Sequence, residues 1–266
     1  MATTASKLAE LHKYSACDVS DALLKLKSPG AGFLADIGER YGREEMEQAD
    51  ETQLTKAPDA VPISSSHKQE KQIAPASTVL FVEKGVGNID KNSSQGSSSG
   101  SSSSGISNVS KGNIPADAHY VDLTTPDTVV VMSQPKGQTN AVLGGIMAVR
   151  MKVLGAKGVV VDGRVRDLEE LSGVGLPIYA RGTSTVGAGA ASIPFAIDVP
   201  VDINGVNVYP GDLIFADPKE GVVCIPQDKL EDVLRILPSI VAADERVLEV
   251  VKAGMEVWEA FRRFRS

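Results

Sequence analysis

The sequence predicts an α/β fold with a compact, layered β-sheet core flanked by helices, in a single domain over residues 1–266. Three observations carry that expectation. Several short runs are continuous Val and Ile, the pattern of strands covered on both faces rather than half-exposed ones. Stretches with helical spacing of apolar residues alternate with them. Asn204-Gly205 separates two short apolar runs, a strong local signal for a β-hairpin. With 266 residues, 42% apolar and 23% charged, the chain has the proportions of an ordinary globular protein.

Taken in order, Ser6 to Leu26 is predicted as helix, with Leu8, Leu11, Val19, Ala22 and Leu23 sharing a face. Predicted strands are Thr78–Val82, Thr128–Met132, Gly158–Val161, Ile178–Ala180, Leu213–Ala216 and Val222–Ile225. Val199–Ile203 and Val206–Val208 form the hairpin, and Pro210-Gly211-Asp212 turns the chain into the next strand. Asp228 with Glu231 reads as a capping-box start for a C-terminal helix carrying Leu230, Val233, Leu234 and Leu237. Pro238 is expected to interrupt it. A second amphipathic segment then carries Val247, Leu248, Val251, Met255, Trp258 and Phe261, and packing on its own core is preferred to a subunit interface.

One tract breaks the pattern. From Ser93 to Gly105, nine of thirteen residues are Ser and three are Gly. Nothing there offsets the entropy of ordering, so about 85–112 reads as a flexible surface insertion rather than a domain linker. Glu39 to Ser66 is polar, carries prolines and is expected to run over the surface.

The charge balance excludes some functions. Twenty-seven Lys and Arg against 34 Asp and Glu give a net charge of −7, a poor match for a nucleic-acid backbone. No apolar run reaches membrane-spanning length, and Met1 to Lys13 lacks the apolar stretch of a secretory signal. With only Cys17 and Cys224, neither a disulfide framework nor a zinc-thiolate site is expected. A cytoplasmic protein without membrane or nucleic-acid partners is therefore expected. His12, His67 and His119 have no metal-ligand spacing. Gly173-Val174-Gly175 and Gly187-Ala188-Gly189 lack the dinucleotide-binding context and read as loops. Cys17 reads as a packed helix residue and Cys224 as a buried strand residue.

Two segments can carry chemistry. The first, Asn140 to Met147, opens a helix with Gly144-Gly145, whose start leaves amide donors approachable by an anion. Tight helix packing is the other reading of that pair. In the second, a buried strand ends at Asp162-Gly163 and enters a loop bearing Arg164, Arg166 and Asp167. Ligands in α/β proteins bind at the carboxyl ends of strands. Arg166 can hold a carboxylate through paired hydrogen bonds. Asp167 can bind a hard divalent ion, or cap the next helix with Glu170 three residues on. Asp162 reads as a turn-fixing acceptor and Arg164 as a solvated side chain.

These segments resemble the RraA-like family, which includes divalent-metal-dependent 4-hydroxy-4-methyl-2-oxoglutarate aldolases and oxaloacetate decarboxylases. The matching pieces are Cys17 to Leu23, Asn140 to Met147, Gly158 to Leu168, Leu176 to Gly182, Tyr209 to Asp212, and Ala216-Asp217 with Gly221 to Pro226. The resemblance implies a fold of the swivelling β/β/α type, a homotrimer or dimer of trimers, and a small 2-oxo acid as substrate. It implies that Arg166 grips the substrate carboxylate with the backbone of Gly144, Gly145, Ile146 and Met147. Asp167 would ligate Mg²⁺ or Mn²⁺, making Arg166 and Asp167 the catalytic pair. The reaction implied is cleavage to pyruvate, or decarboxylation of oxaloacetate, through a metal-stabilised enolate. The alternative is a non-catalytic protein-binding regulator. One departure stands out: the aldolase pattern has an Asp twenty intervening residues before the Arg-Asp pair, and Gly145 occupies that place. Another acidic group, which a neighbouring subunit of such an assembly could supply, must then substitute.

Overall fold

The computed structural model describes residues 4–41, 70–85 and 111–265. Nearly all of the Ser-rich insertion, His67 and most of the polar stretch after Glu39 lie outside these residues.

The chain begins with α1 (Thr4–Leu11) and α2 (Ala16–Lys25), followed by β1 (Gly38–Tyr41) and the long β2 (Gln72–Glu83). Then come β3 (Val129–Ser133), β4 (Ala141–Leu143), α3 (Gly145–Val153), β5 (Gly158–Val165), α4 (Leu168–Gly173) and β6 (Ile178–Thr183). After β7 (Ser192–Ile197), β8 (Val201–Ile203) and β9 (Val206–Val208) form the expected hairpin. Last are β10 (Leu213–Asp217), β11 (Gly221–Ile225), α5 (Leu230–Lys252) and α6 (Val257–Phe264).

Among the described residues, nine strands form one mixed sheet whose main order is β1-β6-β5-β3-β2-β10-β11. Strands β2, β3, β5 and β6 run parallel in its centre. Strand β2 serves several partners. Its start pairs with β10, its middle with β3, and its end with β7.

The continuous Val runs follow from burial on both faces. On β5, Val159 and Val161 join a cluster with Met132, Ala148, Met151 and Leu171, under α3 and α4. Val160, one residue out of phase, joins Val129, Val131, Tyr179, Ile203 and Val208 on the opposite face. Strand β10 repeats this alternation, with Ile214 facing that second cluster and Phe215 facing a third. The third seats α1, α2 and α5 through Leu11, Leu23, Val233 and Leu237.

Several expectations are corrected. The predicted Ser6–Leu26 helix is two helices. Ser15 caps α2 by accepting from the Asp18 amide, while the Asp18 carboxylate accepts from the Ser15 amide, so a capping box starts a new helix there. Pro238 does not interrupt α5, which runs through it for 23 residues. Buried Val233, Leu237, Ile240 and Val247 hold both halves against the core, offsetting the lost backbone bond. Asp228 caps nothing: it lies in a 3₁₀ turn, and α5 starts after Lys229 without a side-chain cap. The last segment is split between the end of α5 and α6. Ala260 packs completely, whereas Trp258 and Phe261 are exposed beneath the guanidinium groups of Arg262 and Arg265. Cys224 is buried as expected, but Cys17 is exposed. Among the described residues no helix is long and apolar enough to cross a membrane.

Candidate active site

The strand expected to end at Asp162-Gly163 continues to Val165, because each polar residue in it has an internal partner. Buried Asp162 forms an ion pair with Arg181 of β6, rather than fixing a turn. Gly163 leaves room for Gln134, whose Cβ would lie 2.9 Å from any Cβ at position 163. Gln134 then bridges two segments. Its Nε2 donates to the Asn140 carbonyl at 2.8 Å, and its Oε1 accepts from the Arg164 amide at 3.2 Å. Arg164 is half-buried and donates to the Thr183 carbonyl at 3.0 Å, so it is not simply solvated.

This bracing carries β5 to its carboxyl end, where Arg166 and Asp167 emerge. Asp167 takes a left-handed backbone conformation, φ 59° and ψ 55°, which Asp tolerates better than most residues. It occupies the cap position of α4, but its side chain makes no capping bond. The carboxylate instead crosses to the start of α3. Its Oδ2 accepts from the Gly145 amide at 3.2 Å and lies 3.5 Å from Arg166 Nε. Oδ1 has no such contact among the described residues.

The double glycine is thereby explained. A Cβ on Gly144 would stand 2.5 Å from Asp167 Oδ2, and one on Gly145 would stand 2.6 Å from Glu170 Cβ. The Gly145 amide, expected to face substrate, is taken by Asp167. The amides of Ile146 and Met147 remain as first-turn donors that helix geometry leaves without intrahelical partners.

A cavity of about 340 Å³ opens beside this junction. Gly144, Ile146, Met147, Arg166 and Asp167 line one side, and Phe81, Tyr120, Leu143, Ile193 and Pro194 give it apolar walls. The fold thus gathers all but Gly145 of the expected site residues around one cavity, with Gly145 bonded to its rim. Two contributors were not anticipated. His119 also lines the cavity. Gly187 lets Arg166 pass, since a Cβ there would meet its Nη1 at 2.9 Å. Neither has a local sequence signature, because both arrive from segments distant along the chain.

A third residue packs where a side chain at position 145 would begin. Glu170, one turn into α4 from Asp167, fills the room beside Gly145 that a side chain at 145 would need. Among the described residues no group of three or more His, Cys, Asp or Glu gathers as a metal cage. The exposed Asp167 carboxylate is the donor type that could hold a hard divalent ion, which keeps several waters and needs one or two carboxylates.

Two buried carboxyls outside the cavity lining are shifted by their surroundings. Burial raises the Asp162 carboxyl above its ordinary value of 3.8, against the opposing pull of Arg181. Burial likewise raises Asp212, which the Tyr209 and Gln227 amides hold at 2.8 and 3.1 Å. A raised native value means that the folded state keeps the proton where the unfolded chain has lost it. The stability these groups contribute is therefore complete below 3.8 and is lost as pH rises through their native values. A carboxyl-carbon NMR titration should give both midpoints above 3.8; a midpoint at or below it contradicts the assigned balance.

Comparisons with known proteins agree with this architecture. The chain is 36% identical over 121 residues to a relative from Halalkalibacterium halodurans, covering 46% of this chain and 57% of that protein. It is 38% identical over 87 residues to a 4-hydroxy-4-methyl-2-oxoglutarate aldolase of Thermus thermophilus, covering 33% of this chain and 52% of that one. The matches thus span about half the length of these two relatives. Among solved structures, Streptomyces coelicolor RraAS2, described as an unusual member of the RNase ES inhibitor RraA family, superposes with a TM-score of 0.60. That match has 21% identity and covers 95% of this chain and 98% of the other. An uncharacterized Pseudomonas syringae protein gives a TM-score of 0.64 at 21% identity, covering 98% of both chains. These structural likenesses speak for the fold. The model of the RraA-like family, described as Aldolase/RraA, matches residues 16–224, and the chain belongs to that family.

Proposed function

We propose that the protein is a divalent-metal-dependent lyase of small 2-oxo acids, releasing pyruvate from 4-hydroxy-4-methyl-2-oxoglutarate, from oxaloacetate, or from both. The observation that carries this reading is the meeting of the Arg166 guanidinium, the Asp167 carboxylate and the first turn of α3 at one cavity. The aldolase named among the relatives supports the same reading.

Arg166 and the Ile146 and Met147 amides hold the substrate's C1 carboxylate, the guanidinium through charge-assisted hydrogen bonds. Asp167 and Glu170 would hold Mg²⁺ or Mn²⁺, with Glu170 standing in for the acid absent at Gly145. The metal, when bound, supplies Lewis-acid stabilisation of negative charge on the keto oxygen. Phe81, Tyr120 and Leu143 give the cavity apolar walls, beside which electrostatic contacts are stronger than in open water. In oxaloacetate the C3–C4 electron pair passes into the enolate as CO₂ leaves. In the aldol substrate the C4 hydroxyl must also lose its proton, and the second product is another pyruvate. A proton returned to C3 completes both reactions.

Pyruvate formation with Mg²⁺ or Mn²⁺, and again with excess EDTA, tests the proposal after subtraction of the buffer-with-metal rate. Release above that rate from either substrate, abolished by EDTA, is expected. No excess release from either substrate sinks the lyase reading. A non-catalytic regulatory role, in keeping with the RNase ES inhibitor family of the Streptomyces protein, would then take precedence.

A further inference from the structure

A second cleft, about 720 Å³, shares Arg166 and Asp167 with the first cavity. Its remaining polar lining is Arg164 with the hydroxyl side chains of Thr139, Thr183, Ser184 and Thr185. Because Arg166 and Asp167 line both spaces, a ligand held by Arg166 borders both.

The placement of Arg164 is specific. It lies two residues before Arg166, and side chains two apart along an extended chain leave the same face. Its Nη1 is anchored by the Thr183 carbonyl at 3.0 Å, against Gly182, where a Cβ would also approach it to 3.0 Å. The hydroxyl-bearing loop is anchored in turn, since the Ser184 amide donates to the Val165 carbonyl at 2.9 Å. Among the described residues, no carboxylate forms a salt bridge with Arg164. The cleft therefore holds two guanidinium groups against the single charge of Asp167, in a chain of net charge −7.

We infer that this cleft is a second carboxylate subsite, in which Arg164 and the surrounding hydroxyls receive the distal carboxylate of a dicarboxylic 2-oxo acid. The inference rests on the lyase reading for the placement of C1 at Arg166. Arg164 then selects di-acids over mono-acids of equal length. A guanidinium–carboxylate contact also favours ligands that carry their second charge beyond the reacting carbons. The neutral hydroxyls donate to the remaining lone pairs without adding competing charge.

Calorimetric titration with 2-oxoglutarate and 2-oxopentanoate in the presence of Mg²⁺ tests this without requiring turnover. The two probes share a five-carbon 2-oxo skeleton and differ in the distal carboxylate. The wild-type protein should bind 2-oxoglutarate about tenfold or more tightly, the scale of a charge-assisted hydrogen bond. In Arg164→Gln that preference should fall to within about threefold, whereas Arg164→Lys, which keeps the charge, should retain part of it. Circular dichroism of each variant separates local loss from unfolding. Equal binding of the two probes by wild type, no binding of 2-oxoglutarate, or an undiminished preference in folded Arg164→Gln overturns the inference. Pyruvate release judges the lyase reading separately, so the two can fail independently.

Discussion

Arg166→Gln is expected to reduce kcat/KM for pyruvate release by about 10²-fold, the cost of losing charge-assisted hydrogen bonds to the C1 carboxylate worth about 3 kcal/mol. Gln retains a polar head but loses the positive charge and the paired N–H geometry that fits a carboxylate. The same change should move Tm by no more than about 2 °C, because the Arg166 side chain is 45% exposed and its ion pair among the described residues is with Asp167 at 3.5 Å. Asp167→Asn should give a comparable loss by a different route. Asn can still accept from the Gly145 amide, preserving the junction between α3 and α4, but it lacks the charge a hard cation requires. The pair of variants is diagnostic. Arg166→Gln should keep a response to added metal, while Asp167→Asn should lose it. Steady-state kinetics across a Mg²⁺ series checks both, and unchanged kcat/KM in either variant removes that residue from the proposed machinery.

How far the sequence disclosed this arrangement depends on where each residue's partners lie. The Val runs of β3 and β5 were legible because burial on both faces is written into consecutive residues. Strand β4 was not, because Ala141–Leu143 is too short to show a period and leads directly into α3. Asp162-Gly163 resembles a turn locally. It is strand because Arg181 neutralises Asp162 and Gln134 uses the space above Gly163, and both partners come from other parts of the chain. Arg166 and Asp167 stood out through the family resemblance, yet the local pattern left capping and metal binding open for Asp167. The structure shows the cap position without a capping bond, and a carboxylate turned toward Gly145. The site roles of Gly187 and Glu170 became visible only through contacts, one clearing the path of Arg166 and the other filling the room beside Gly145.

The same long-range dependence makes Gly163→Ala the severest small substitution expected near the site. The new methyl would enter the volume of Gln134, which is 5% exposed and cannot swing into solvent. Displacing that side chain costs overpacking and also threatens its bonds to the Asn140 carbonyl and Arg164 amide. Together these losses should amount to about 3 kcal/mol, lowering Tm by roughly 6–12 °C for a domain of this size. Activity should suffer even below the melting transition, because Gln134 ties the segment leading into β4 and α3 to the strand presenting Arg164 and Arg166. Gln134→Ala provides the comparison: it loses the two bonds without the clash. Placing Ala at both positions should therefore be less destabilised than the sum of the single changes, since the contacts with Gln134 Oε1 and Cδ are removed and only the contact with the Cβ of residue 134, at 2.9 Å, remains to be relaxed. Thermal denaturation of the three variants decides the matter. If Gly163→Ala melts within about 2 °C of wild type, or the double variant shows simple additivity, the brace through Gln134 is not what holds the end of β5 in place.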